Sequence, residues 1–224
     1  MAIRFVFIDI DDTLIDFSAC ARHSLEQAVC RQGWEWSEET FSRFQEVNNR
    51  YWSDHEKGLI SQDDLRVERF CTLFGLSRKD AAQFEGSFQE GLATSAFLME
   101  GAKECAEYLS AKYPFFAATN AVAATQRNRM ALAGLTPYFT DLFISGDLGA
   151  SKPSKAFFDA AFARIPHLDP ADGIIIGDSL TSDIAGGQAA GMQTCWFNPW
   201  GRALPEGYRC DLQLSHLSQI SRIL

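Results

Sequence analysis

Four aspartates, Asp9, Asp11, Asp178 and Asp183, stand just past two apolar, β-rich runs of the chain. The first run ends Phe7-Ile8-Asp9-Ile10-Asp11-Asp12-Thr13-Leu14. Asp9 and Asp11 are two apart, so while the backbone stays extended their carboxylates point the same way. Such a pair can divide the labour of phosphoryl transfer. One oxygen attacks phosphorus, while the neighbouring acid protonates the leaving alkoxide and then deprotonates the water that cleaves the intermediate. The same spacing also suits an acidic turn that caps a strand, so the pair alone does not decide.

Three further segments weigh on the choice. Phe116-Ala117-Ala118-Thr119-Asn120 ends a second apolar run in a hydroxyl and an amide, both suited to donate hydrogen bonds to phosphate oxygens. Ser151-Lys152-Pro153-Ser154 places a lysine just before a helical pattern whose first turn can carry the proline. That lysine can neutralise a phosphate and an attacking carboxylate together. Ile176-Gly177-Asp178-Ser179-Leu180-Thr181-Ser182-Asp183 ends another run with two more carboxylates, the hard oxygen ligands that magnesium prefers.

The elements that must hold these residues follow from hydrophobic texture. Residues 3–9, 115–119, 142–145, 173–177 and 194–197 are apolar nearly throughout, as expected for strands buried on both faces of a parallel sheet. Helical patterns lie between the later runs, at 102–112, 123–133, 155–164 and 182–190. This alternation predicts an α/β fold: a Rossmann-like, doubly wound parallel sheet. Ligands of such sheets bind beyond the carboxyl ends of the strands, where the four segments fall. Between the first two strands, from about residue 17 to 94, there is only helical periodicity, with breakers near Gly33, Gly58 and Gly75. That is much more than a crossover helix needs. It predicts an inserted helical cap of about four helices over 17–96, with the catalytic core in 1–16 and 97–224. A single α/β domain with one oversized connection is the simpler alternative.

Composition narrows the partners. The net charge of −9 argues against a nucleic-acid polymer or an anionic membrane as partner. No apolar stretch is long enough to span a bilayer, and Met1-Ala2-Ile3-Arg4-Phe5 runs straight into a strand without the pattern of an export signal, so a cytoplasmic location is the expectation. The six cysteines form no C-x-x-C pair and read as reduced packing residues. The four histidines are scattered without the spacing of a zinc site.

Asp-x-Asp-x-Thr after the first strand, Thr119-Asn120 after the next, Lys152-Pro153 and then Gly177-Asp178-x-x-x-x-Asp183 resemble the four ordered motifs of the haloacid dehalogenase-like (HAD) hydrolases. The resemblance implies Asp9 as nucleophile, Asp11 as general acid/base, and Thr119 with the backbone around Asn120 as the phosphate cradle. Lys152 would balance charge and help to hold the phosphate. It further implies Mg²⁺ on the Asp9 carboxylate, the Asp11 carbonyl oxygen and the Asp178 carboxylate, with Asp183 and Ser179 behind. Charge supports the metal independently: four carboxylates against Lys152 leave three excess negative charges where a phosphate dianion must bind. A divalent ion and a proton on Asp11 cancel them. Dehalogenases of this superfamily lack the acid two residues after the nucleophile, because a halide leaves without a proton. Asp11 therefore favours phosphate esters.

Within the superfamily, a helical insertion at this place resembles a mobile cap that excludes water and reads the leaving group of a small substrate. Phe44-Gln45-Glu46-Val47-Asn48-Asn49-Arg50-Tyr51-Trp52-Ser53-Asp54, Gly58-Leu59-Ile60-Ser61, Phe17 and Thr194-Cys195-Trp196-Phe197-Asn198 are similar to a house-cleaning nucleotidase subgroup that dephosphorylates pyrimidine or noncanonical nucleoside monophosphates. Phe17, Tyr51 and Trp52 are its candidates for stacking on a base, and core packing is the plainer account of each. Ala121 stands where many relatives have glycine, which restricts the backbone beside the phosphate. The expected partner is thus a small phosphorylated metabolite, for a monomer or homodimer. Rival readings are a sugar-phosphate or phosphoglycolate phosphatase, a phosphosugar mutase, and a non-catalytic binding protein on the same fold.

Overall fold

A computed structural model describes residues 3–224; the reading of Met1 and Ala2 falls outside the described residues. Six strands, β1 (Phe5–Ile8), β2 (Phe115–Thr119), β3 (Asp141–Ile144), β4 (Gly173–Gly177), β5 (Gln193–Phe197) and β6 (Leu212–Leu214), form one sheet in the order β3-β2-β1-β4-β5-β6. Every neighbouring pair is parallel. Ile8 pairs with Ala117 on one side and Ile176 on the other, so the carboxyl ends of β2, β1 and β4 lie abreast. The strand order reverses between β1 and β4, the switch point at which doubly wound sheets bind ligands. This is the α/β architecture that the buried apolar runs predict.

One face of the sheet carries an aromatic cluster: Phe5, Phe7, Phe116 and Phe143 from the strands and Phe157 and Phe158 from a helix, all buried. The rings of Phe7, Phe116 and Phe143 lie 5.2 to 5.6 Å apart in tilted, edge-on and stacked pairs, as aromatic quadrupoles favour. Their packing fixes the strands whose ends carry the site.

Ser18–Ala96 forms a compact unit of its own, separate from the one that holds the sheet. Its helices are α1 (Phe17–Arg31), α2 (Glu38–Glu56), α3 (Gln62–Phe74) and α4 (Arg78–Ala93). Three open on a serine whose hydroxyl accepts an N–H of the first turn: Ser37 from Thr40, Ser61 from Asp64 and Ser77 from Asp80. Gly75 ends α3 at φ +69°, a left-handed position that suits glycine. Phe44, Phe70, Phe84 and Phe88 make the unit's core. Arg69 is buried among them, 4.8 Å from the Phe70 ring and 4.9 Å from the Phe88 ring, and donates to Glu85 and Asn48 at 2.7 Å each.

The sheet unit adds α5 (Ala102–Lys112), α6 (Ala123–Leu132), α7 (Ser145–Leu148), α8 (Lys155–Arg164), α9 (Gly186–Ala189) and α10 (Ile220–Ile223). Two features depart from expectation. The helix expected over 182–190 starts at Leu180 as a π-helical stretch, Leu180–Ala185, and only then becomes α9. Edge strand β6 is too short for an apolar period to reveal. Among the described residues no helix is long and apolar enough to cross a membrane.

Candidate active site

Asp9 directly follows β1, and its N–H donates to Ile176 of β4 at 2.8 Å, which ties the residue to the switch point. Its carboxylate meets Lys152, whose ammonium donates to Asp9 Oδ1 at 2.7 Å, Asp183 Oδ1 at 2.6 Å and the Ala118 carbonyl at 2.5 Å. All three ammonium protons are thereby used, and the side chain is buried. Lys152 is itself held by Asn120. The Asn120 amide donates to the Lys152 carbonyl and accepts from the Lys152 N–H, both at 2.8 Å. One N–H and the oxygen of this amide thus fix the lysine, and the amide nitrogen keeps a second N–H. The proline expectation changes. Pro153 follows a cis peptide bond and precedes the helix, because Ser154 takes the cap position and α8 begins at Lys155.

The β4 end supplies the other half. Asp183 is fully buried and accepts the Ser179 N–H through Oδ2 at 3.1 Å. Ser179 caps the π-helical stretch by accepting the Ser182 N–H at 3.1 Å, so it shapes the loop that presents Asp183. Gly177 is required here: a Cβ on it would lie 2.1 Å from Asp183 Oδ2. Asp178 has its carbonyl held by Trp196 Nε1 at 3.0 Å and Arg202 at 3.1 Å, and its carboxylate lies 3.7 Å from the Arg202 guanidinium. One carboxylate oxygen each from Asp9, Asp178 and Asp183 lie within 4.8 Å of one another. The sequence reading foresaw neither Arg202 nor Trp196 here.

Asp11 behaves differently. Beyond β1 the chain turns tightly, with the Ile10 carbonyl accepting Leu14 and Ile15 N–H groups at 2.9 and 2.8 Å. Asp12 sits at φ +56°, and its side chain accepts the Phe17 N–H at 3.0 Å. Asp11 itself makes an isolated parallel bridge with Ile15, and its carboxylate has hydrogen-bond partners of its own, distinct from those of Asp9. Asp11 Oδ1 accepts Arg129 Nη1 at 2.6 Å and Oδ2 accepts Gln126 Nε2 at 3.1 Å. Both partners belong to α6 and both are buried. Gln126 Nε2 also lies 3.2 Å from the hydroxyl of Thr119, the last residue of β2.

The electrostatics follow from burial. Burial raises the Asp9 carboxyl to about 8, with Lys152 pulling down and Asp183 and Asp11 pushing up. Burial likewise lifts Asp178 well above the usual carboxylate range, helped by Asp183, Asp9 and Asp12. Burial works against the Lys152 charge, but Asp183 and Asp9 hold the lysine above its ordinary value. The site thus carries more carboxylate than one lysine balances, in an oxygen-only donor set. A hard divalent cation such as magnesium fits both the charge and the donors.

The aromatic candidates have the following surroundings within their own units. Phe17 opens α1. Tyr51 and Trp52 are half-buried on α2. The Tyr51 hydroxyl lies 2.8 Å from that of Thr72, and the Trp52 ring meets His55 edge-on at 5.7 Å.

Comparison with known proteins gives the lineage. The family model for haloacid dehalogenase-like hydrolases matches residues 3–191. The HAD-hydrolase YfnB of Bacillus subtilis is 35% identical over 199 residues, 88% of this chain and 84% of that protein. Its magnesium-bound crystal structure superposes with a TM-score of 0.94 at 31% identity, covering 100% of this chain and 99% of that one. Pyrimidine 5'-nucleotidase PynA of Streptococcus pneumoniae is 34% identical over 89% of this chain and 85% of its own length. Pyrimidine 5'-nucleotidase YjjG of Escherichia coli is 29% identical over 98% and 97%. With the sheet order, the strand-end aspartates and a match over most of its length, the chain belongs to the haloacid dehalogenase-like hydrolase family.

Proposed function

We propose that the protein is a magnesium-dependent phosphatase of small phosphate monoesters, with pyrimidine nucleoside 5'-monophosphates as its leading substrates. The observation that carries the reading is the joining of Asp9, Lys152 and Asp183 at the switch point, beside Asp178 and Thr119. Asp9 has one oxygen on Lys152, and its other oxygen is the attacking atom. It forms a bond to phosphorus as the bond from phosphorus to the ester oxygen breaks. The leaving oxygen takes the proton of Asp11. A water then gives its proton back to Asp11 and attacks phosphorus, and the bond to Asp9 breaks, releasing phosphate and restoring both carboxyls. Thr119 donates its hydroxyl proton to the phosphate, and Lys152 offsets the charge that Asp9 and the phosphate bring together.

Asp9 and Asp178 through carboxylates and Asp11 through its carbonyl oxygen would hold the magnesium ion, with Asp183 oriented behind by Lys152 and Ser179. When bound, the ion supplies positive charge for the phosphoryl oxygens. The nucleotide preference rests on PynA and YjjG, relatives named as pyrimidine 5'-nucleotidases.

The test is a phosphate-release screen over nucleoside monophosphates, sugar phosphates and phosphoglycolate, with Asp9→Asn as control. Turnover is expected to vanish after chelation, to return with magnesium, and to be absent in Asp9→Asn. The variant is expected to keep its fold, because Lys152 retains Asp183 and the Ala118 carbonyl. Normal turnover in Asp9→Asn, or full activity after exhaustive chelation, refutes the mechanism. A preference for sugar phosphates over every nucleotide removes the substrate assignment alone.

A further inference from the structure

We propose that Gln126 and Arg129 of α6 are positioning residues that fix the carboxylate of Asp11 and the hydroxyl of Thr119 in one directed network. The inference rests on the phosphatase reading above, since it concerns the acid/base and the phosphate donor of that reaction.

The direction of each bond follows from what the groups can do. A guanidinium only donates, so Arg129 Nη1 is the donor to Asp11 Oδ1 at 2.6 Å and to Gln126 Oε1 at 2.9 Å. Gln126 must therefore turn its oxygen toward Arg129. A carboxylate only accepts, so Asp11 independently demands the Gln126 NH₂ on its own side, where it lies at 3.1 Å. The amide orientation is set twice, by a cation on one side and an anion on the other. The same NH₂ then faces the Thr119 hydroxyl at 3.2 Å, and that oxygen must accept. A hydroxyl that accepts from Gln126 has its proton left to give elsewhere. Thr119 ends β2, beside the end of β1 that carries Asp9, so the proton is available on the side where a phosphate binds.

The mechanical consequence is as definite. Asp11 lies past the end of β1, its backbone in an isolated bridge with Ile15, so its side chain is oriented by the partners it finds outside the sheet. Two donors from the buried face of one helix, spaced three residues apart, grip both its oxygens. A carboxylate has further lone pairs, so this grip leaves a face from which Asp11 exchanges a proton with the leaving group or water. Arg129 and Gln126 are 2% and 1% exposed, so the donor side of the grip is shielded from solvent while Asp11 keeps an open side. General acid/base catalysis depends on that geometry, because the proton must be transferred within hydrogen-bond reach.

The experiment uses the full chain with magnesium. Turnover and KM are measured on an alkyl phosphate and on p-nitrophenyl phosphate, whose leaving group departs with little need of a proton. The affinity for inorganic phosphate and the melting temperature are measured alongside. Gln126→Leu is expected to lower kcat for the alkyl ester by roughly tenfold to a hundredfold, part of the span that general acid catalysis supplies, and for the aryl ester by only about threefold. It is also expected to weaken phosphate binding by roughly three- to tenfold, the scale of one lost hydrogen bond. Arg129→Met is expected to give the same alkyl-to-aryl selectivity, and Arg129→Lys, which restores a donor-only cation, to recover most of it. Equal losses on both esters with unchanged phosphate affinity would mean that the pair only supports the fold, and would overturn the proposal. So would a gain in alkyl turnover, which would show that the pair withholds Asp11. Should Gln126→Leu fail to fold, the contrast between Arg129→Met and Arg129→Lys decides by the same selectivity. A wild type inactive on every ester removes the phosphatase reading and this inference together. An active wild type with insensitive variants removes this inference alone.

Discussion

At the residue scale, the site depends on close approach as much as on chemistry. Asp183 reaches Lys152 by crossing the last residue of β4, and only a glycine leaves room for it, since a Cβ at position 177 would meet Asp183 Cγ at 2.3 Å. The Asp183 carboxylate cannot retreat cheaply, being held by both Lys152 and the Ser179 N–H. Gly177→Ala should therefore lower stability by roughly 1–3 kcal/mol, the usual cost of overpacking, and lower turnover with it by misplacing Lys152. Thermal melting and a rate on one ester check this; a variant with native melting and native rate would mean that Asp183 is free to move. Asp9 and Asp178 were readable as candidates because each directly follows an apolar run, and Lys152 and Asp183 because they complete an ordered set of motifs. Gln126 and Arg129 were not. An arginine on a helix usually faces solvent, and its partner Asp11 lies 118 residues away in the chain. The positioning work of the Asn120 amide was hidden for a related reason: composition shows that an amide can donate, but not that it spans to a backbone N–H and carbonyl 32 residues on.

At the scale of elements, texture was informative wherever burial was uniform. The runs that became β2 and β4 are apolar from end to end and buried throughout, so their bounds were readable. β6 has a single fully buried residue and little to announce it. The π-helical stretch escaped because its polar residues, Thr181, Ser182 and Asp183, break an amphipathic period, with Asp183 turned to Lys152. The helices of the Ser18–Ala96 unit were legible as helices, whereas the work of their aromatic residues was not. Tyr51 is engaged with Thr72, and Trp52 lies against His55, contacts that packing alone explains. Trp52→Ala separates the two accounts. Under the nucleotide reading, kcat/KM for a pyrimidine nucleoside monophosphate should fall by roughly 1–3 kcal/mol in transition-state terms, the scale of base stacking, while ribose 5-phosphate, which has no base, changes little. A parallel loss on both substrates with a lowered melting temperature would assign Trp52 to the packing of its own helical unit.

At the scale of the whole molecule, charge is the organising cost. A protein with a net charge of −9 gathers carboxylates in its interior, and two of them, Asp9 and Asp178, are raised above the ordinary carboxyl value of 3.8. The sign of the linkage follows directly. Below 3.8 both the folded and the unfolded chain hold these protons, and pH has no leverage. Above it the unfolded chain releases them while the folded chain keeps them, so the ion-free protein loses stability as pH rises toward about 8. A divalent ion on the same oxygens reverses the trend, because it replaces the protons and its affinity grows as they leave. The rise in melting temperature produced by saturating magnesium should therefore be small near about pH 5 and several degrees larger near about pH 8. Melting curves with chelator and with magnesium at both values measure it, with Asp178→Asn as the control that loses the increment. An increment equal at the two pH values, or larger at the acidic one, would mean that the ion does not bind where these protons sit, and the assignment of Asp9 and Asp178 as its ligands would fall.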